Sequence, residues 1–244
     1  MFTKYKYYCK ILMKKEKTMK ILAIDTSSSI CSTALLEDGV LIDKNELNNG
    51  RTHSENLMPL IDGLLKRNKI SVKDINLIAC SVGPGSFTGI RIGVASIKAI
   101  AEVLKIKVAG VTSLETLAKN VKNSNTIVSL IDARNNQVYC GIFDEKYNKK
   151  EDYMADDINE VINNLKKYDR ITFVGNGAIL HKDLLTEKLK NVRFSNYNEQ
   201  SAENVGKIGY KKYLENNLCD ADSILPIYLR KSQAERLKNN NNNK

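Results

Sequence analysis

The chain has 244 residues, with 38 Lys and Arg against 28 Asp and Glu, 42% hydrophobic and 27% charged residues, 3 Pro and 13 Gly; this is an ordinary globular composition, long enough for one large domain or two small ones, and it excludes a disordered or collagen-like chain. No apolar run approaches the ~18 residues that a membrane-crossing helix needs, and Lys interrupts the apolar stretches of the first twenty residues, so neither a span nor a secretion signal is read there. Cys9, Cys31, Cys80, Cys140 and Cys219 are widely scattered and form no C-x-x-C pair, a pattern of buried thiols in a reducing cytoplasm and not of a disulfide framework or a zinc ribbon.

Residues 1–18 show no helical or strand period, so the fold is expected to begin at Met19, with 1–18 as a disordered extension. Residues 20–25, 30–37 and 40–46 read as strands, the last two joined by the hairpin signal Asp38-Gly39. An apolar-periodic helix follows at 55–69, then a buried strand at 77–82, a second helix at 88–104 and a strand at 108–111. Thr112-Ser113-Leu114-Glu115 is a capping box that opens another helix. After it the pattern restarts in shorter form: strands at 126–132 and 137–143, a helix at 157–168, a strand at 171–174 and a helix at 178–189. A helix at 201–217 and an extended segment at 224–229 close the fold. The expected architecture is α/β with two related βββαβα lobes: 19–112, a reduced second lobe at 113–199, and a C-terminal piece at 200–229 packing back on both. The basic, Asn-rich stretch 230–244 is low-complexity and is expected to be disordered.

The net charge of +10 lies mostly at the ends: residues 1–18 carry +5 and residues 230–244 carry +4, which leaves +1 for residues 19–229. A body so nearly neutral is expected to share any RNA with a partner instead of gripping it alone.

Gly83-Pro84-Gly85-Ser86-Phe87-Thr88-Gly89 follows a buried strand and opens a helix, where backbone N–H groups and the helix dipole receive anions. It matches neither the P-loop nor the dinucleotide fingerprint, so it is either a nucleotide loop or a tight strand-to-helix turn. Asp25-Thr26-Ser27-Ser28-Ser29 sets a carboxylate and hydroxyls at a strand end, the place of a phosphate- and metal-holding hairpin or of an ordinary Asx turn. Asp25, Thr26, Ser27, Gly83 and Gly85 are thus the candidate residues of a nucleotide loop or of its vestige. His53 has Asn56 and Leu57 where a helical metal site would carry its second ligand, and His181 has no companion at ligand spacing, so no metal and no catalytic triad are read. In 55–69 the apolar residues cover an arc of about 160°, wider than the ~100° stripe that a surface helix buries on its own core. In 88–104 Ala and Gly keep much of the surface small. These helices are either wholly buried in their own protein or dock on a partner's helices through Leu57, Met58, Ile61, Leu65, Gly93, Ala95 and Ala99.

Met19-Lys20-Ile21-Leu22-Ala23-Ile24-Asp25-Thr26-Ser27, then Arg51-Thr52-His53-Ser54-Glu55, then Ser81-Val82-Gly83-Pro84-Gly85-Ser86-Phe87-Thr88-Gly89-Ile90-Arg91-Ile92-Gly93, in that order and spacing, resemble the bacterial TsaB family of tRNA threonylcarbamoyladenosine biosynthesis proteins, also called YeaZ. The resemblance is strong over 19–115 and rests on pattern beyond. It implies the actin-like, ribonuclease H-like duplicated fold of the ASKHA superfamily. In the paralogue TsaD an H-x-x-x-H motif binds the active-site metal; here the first His matches His53 and the second falls on Leu57. The resemblance therefore implies a cytoplasmic, non-catalytic scaffold subunit without a cofactor. It would dimerise with TsaD, recruit the ATPase TsaE, and meet tRNA only through the complex, permitting threonylcarbamoyl transfer to the adenosine beside the anticodon of tRNAs reading ANN codons. Two alternatives stay open: an active ASKHA ATPase or phosphotransferase using Asp25, against which Thr26 stands where kinase-like members favour Gly, and a free-standing homodimer.

Overall fold

The computed structural model describes residues 18–230; the expectations for 1–17, including Cys9, and for 231–244 lie outside the described residues. The chain runs β1 (Lys20–Asp25), β2 (Cys31–Glu37), β3 (Val40–Leu47), α1 (His53–Arg67), β4 (Leu77–Ser81), α2 (Phe87–Leu104), β5 (Val108–Val111) and α3 (Ser113–Ala118). It continues through β6 (Thr126–Asp132), β7 (Gln137–Asp144), β8 (Met154–Asp157), α4 (Ile158–Leu165), β9 (Ile171–Val174), α5 (Asn176–Leu180), α6 (Lys182–Lys188), β10 (Val192–Phe194) and α7 (Ala202–Leu214).

The β2–β3 hairpin forms where Asp38-Gly39 predicts it, and both residues take positive φ, +49° and +78°, the pair of left-handed conformations of a tight hairpin turn. Thr18, placed with the extension by sequence, hydrogen-bonds through its hydroxyl to Glu37 at 2.6 Å. Helix α1 starts two residues earlier than expected because the Glu55 carboxylate accepts from the Thr52 N–H at 2.9 Å, closing a capping box one turn upstream. The single helix expected over 178–189 is two, α5 and α6, broken at His181.

Two five-stranded sheets result, in the orders β3-β2-β1-β4-β5 and β8-β7-β6-β9-β10, each with three parallel strands and two antiparallel ones. The second sheet is therefore not reduced: β8 and β10, unread in the sequence, complete it, and only its helices are shorter. Strand alternation sends Leu22, Ile24, Ile78 and Cys80 to one face of the first sheet, under α1 and α2, and Ile21, Ala23, Leu77 and Ala79 to the other. That second face is covered by α7, which comes from the other end of the chain. It lies close: a side chain at Gly206 or Gly209 would strike Leu36 or Ala79. The second sheet is covered by α4 and α6 on one face and on the other by Leu114, Leu117 and Ala118 of α3, which follows β5 in sequence as α7 follows β10. Helices α3 and α7 sit side by side between the sheets, tied by Asn204 Nδ2–H donating to the Thr116 carbonyl at 3.1 Å and to Asn120 Oδ1 at 2.7 Å. Cys31, Cys80 and Cys140 are buried free thiols, as expected, and burial pushes each well above the usual thiol range.

Candidate functional site

Because β1 and β4 are parallel neighbours, the loops that leave them emerge together at the carboxyl end of the first sheet, where α/β proteins bind ligands. The structure brings Asp25, Thr26 and Ser27 of the first loop against Gly83 to Gly89 of the second. The Ser86 N–H donates to the Ser27 carbonyl at 2.8 Å. The Thr26 hydroxyl donates to the Gly89 carbonyl at 2.7 Å. A Cβ on Gly85 would fall on the Ser27 carbonyl oxygen, and one on Gly89 on that of Thr26. These glycines thus serve a close approach of two backbones, with no room left between them.

That seam lies at the N-terminus of α2, the kind of position that favours an anion. The N-cap residue is tied inside the chain, Ser86 N–H donating to the Ser27 carbonyl, and the third amide of α2, Gly89 N–H, donates to the Ser86 hydroxyl at 3.2 Å. Asp25 is turned the same way. One carboxylate oxygen accepts from the Ser27 N–H at 2.8 Å and from its hydroxyl at 2.7 Å, while the other has no partner among the described residues. Burial pushes the Asp25 carboxyl above the ordinary carboxylate range, and the two Ser27 bonds pull against that shift without reversing it.

His53 opens α1 and points at the same loop, its Nε2–H donating to the Ser28 carbonyl at 2.8 Å. One turn on, where a second metal ligand would stand, Leu57 lies in the core at 1% exposure. These residues do not fit the metal of the H-x-x-x-H paralogue. Among the described residues no cluster of three or more His, Cys, Asp or Glu side chains is placed to hold a metal ion.

The seven residues expected on a partner-facing surface divide. Leu57, Ile61 and Leu65 pack into the first lobe's core beneath α1, and Gly93 is buried with the Thr26 hydroxyl against it. These four are corrected to internal packing, because α1 and α2 each bury a face on the sheet and on one another. Met58, half exposed, remains at the surface with Ala95 and Ala99, and Val103, 81% exposed, extends that stripe along α2. Sequence reasoning missed a cluster at the start of α2: the Arg91 guanidinium lies 3.9 Å over Phe87, donates to the Tyr228 hydroxyl at 2.9 Å, and joins rings whose centroids are 4.7 Å apart. Tyr228 belongs to the closing segment, held by Ile227 N–H on the Val82 carbonyl at 2.7 Å and by Arg230 on the Ala133 carbonyl at 2.9 Å. No local pattern announces a contact across 137 residues of sequence.

Two repeats of one five-strand topology, each sheet with helices packed on both faces, define a duplicated α/β protein of the actin-like, ASKHA type. The family model of TsaD, tRNA N6-adenosine threonylcarbamoyltransferase, matches residues 48–238. The chain is 33% identical to the tRNA threonylcarbamoyladenosine biosynthesis protein TsaB of Bacillus subtilis, over 89% of this chain and 96% of that protein, and 30% identical to TsaB of Escherichia coli, over 88% and 96%. The solved structure of YeaZ from Pseudomonas aeruginosa superposes with a TM-score of 0.75 at 23% identity, covering 86% of this chain and all of that one. The chain belongs to the TsaB family.

Proposed function

We propose that this protein is a non-catalytic scaffold subunit in tRNA threonylcarbamoyladenosine biosynthesis, pairing with a TsaD-type partner through the exposed face of α1 and α2 and recruiting a TsaE-type ATPase. The observation that carries the reading is the filled seam: the Ser27 carbonyl stands on the Ser86 amide at 2.8 Å, where a nucleotide phosphate would have to lie. A backbone carbonyl in that place repels phosphate. The buried Leu57 supports the same reading from the side of the metal chemistry. The surviving surface residues Met58, Ala95 and Ala99 supply small and apolar side chains that let a facing helix approach.

The test is nucleoside analysis of tRNA after depletion of this protein, which is expected to remove threonylcarbamoyladenosine. An unchanged level would end the reading. Co-purification from the native cell is expected to bring the TsaD-type partner; purified protein that hydrolyses ATP unaided would favour an independent ATPase instead.

A further inference from the structure

The net charge of +1 over residues 19–229 conceals a sorted distribution. In the second sheet β6, β9 and β10 are parallel, so the loops entering them reach one edge together. Those loops are 119–125, 166–170 and 189–191. With Arg193 on β10 they carry seven cations and one acid, Asp169, a net +6, while the rest of the body is net negative. The first loop supplies Lys119 and Lys122, the second Lys166, Lys167 and Arg170, the third Lys190. Of these, Lys167 is held by Glu151 at 2.6 Å and Arg170 stands 3.6 Å from Asp169; the others have no carboxylate within ion-pair distance among the described residues.

Between these loops lies a cleft of about 380 Å³. Its polar walls are Arg170, Arg193, Asn123, Asn125 and Asn191, with the Ser124 and Thr172 side chains joined by a hydrogen bond of 2.8 Å, and no carboxylate lines it. Attraction of lysines to helix C-termini accounts for Lys119 and Lys166, which follow directly on α3 and α4. It does not account for Lys122, Lys190 or Arg193, which lie beyond any helix end. The duplication supplies an internal control. The matching edge of the first sheet is covered by the chain itself, Cys219 pairing with Val108 and Asp220 holding Lys107 at 2.6 Å. At the second edge Lys122, Asn123, Lys190 and Arg193 are exposed.

We infer that this edge of the second lobe is a nucleic-acid surface that takes the phosphate backbone of RNA, with Lys122, Lys190 and Arg193 as its contacts. A protein partner would want an apolar or aromatic anchor at the centre. The cleft instead offers guanidinium forks and amides, which match phosphate oxygens and base or ribose edges. The inference rests on the proposed function only for the kind of RNA, a tRNA.

The test is fluorescence anisotropy of the full chain with an unmodified tRNA transcript between 25 and 200 mM salt, wild type against Lys122→Gln/Lys190→Gln/Arg193→Gln, with folding checked by circular dichroism. Each lost phosphate contact lowers the slope of log affinity on log salt by about 0.7–0.9, so the triple variant is expected to flatten it by about two to three and to bind at least about tenfold more weakly. The single variants Lys122→Gln and Arg193→Gln are expected to flatten it by about one each. The basic terminal stretches contribute equally to all these proteins. Equal slopes and affinities, no tRNA binding by wild type even at 25 mM salt, or competition by polyglutamate as effective as by tRNA would each overturn the inference. Slopes that fall as expected in a cell whose threonylcarbamoyladenosine survives depletion would keep the surface and discard the proposed function.

Discussion

The seam at the start of α2 makes an unusual demand on Gly93. Its backbone is helical, so replacement by Ala should gain about 1 kcal/mol from propensity and lost chain entropy. Its Cβ would run into the Thr26 hydroxyl, however, with the next heavy atoms, Thr26 Cβ and Cys80 Sγ, at an ordinary 3.6 and 3.7 Å. That hydroxyl cannot swing aside without giving up its 2.7 Å bond to the Gly89 carbonyl inside a fully buried site. Overpacking costs about 1–3 kcal/mol, here in the upper part of that range because the hydroxyl is held, so Gly93→Ala should destabilise the protein by roughly 1–2 kcal/mol net. Thr26→Ala alone should cost about 1 kcal/mol for the lost hydrogen bond. In that background the obstacle is gone, and Gly93→Ala should become stabilising by about 0.5–1 kcal/mol. The measurement is urea denaturation of the four proteins, read as a double-mutant cycle with a coupling of about 1.5 kcal/mol or more. Gly93→Ala with the same effect in both backgrounds would refute the role assigned to the Thr26 hydroxyl. Gly89→Ala offers no such rescue, since its Cβ meets the Thr26 backbone carbonyl.

Ala95→Glu and Ala99→Glu, both at exposed positions, should leave circular dichroism and melting unchanged while weakening the TsaD-type contact by about 2 kcal/mol or more in calorimetry, because an unpaired charge would be desolvated there. Asp25→Ala should cost about 1–3 kcal/mol by stranding the buried Ser27 donors, and Asp25→Asn less than about 1 kcal/mol because an acceptor oxygen remains. Since burial raises the Asp25 pKa above its ordinary 3.8, its contribution to stability is full below that value and is lost as pH rises through the folded pKa; the difference between wild type and Asp25→Asn followed from pH 3 upward should show that loss. Arg91→Ala should lower stability by about 0.5–1 kcal/mol in thermal melts by freeing Tyr228 and Phe87.

Long periodic segments and turn chemistry made the skeleton legible. Asp38-Gly39 placed a hairpin because its φ values are a property of those two residues, and β1, β4 and β6 announced themselves as apolar runs because both faces are covered. The four-residue β8 and three-residue β10 are too short and too polar to carry a period, and they form only because β7 and β9 offer them edges. The candidate loops were visible as glycines and hydroxyls, but not that Ser27 would turn its carbonyl into the second loop, since this depends on how closely β1 and β4 bring the two together. The apolar arc of α1 was likewise real, yet a helical wheel cannot distinguish a face that meets a sheet from one that meets a stranger, and Leu57, Ile61 and Leu65 met the sheet. Summing charge along the body hid what folding sorts, since the cations of three separate loops become neighbours only through parallel pairing.

The exchange of α3 and α7 between the halves means that the repeat visible in the topology is not a seam along which the molecule comes apart. A chain severed between α3 and β6, near residue 122, would yield one fragment with Ile21, Ala23 and Ala79 bare to water and another with Ile127, Ile131 and Phe143 bare. Each fragment holds the cover of the other's sheet, so neither is a folding unit, and heat should melt the two lobes in a single cooperative transition. The repeat is a property of strand order, while the unit of stability is the interlocked pair.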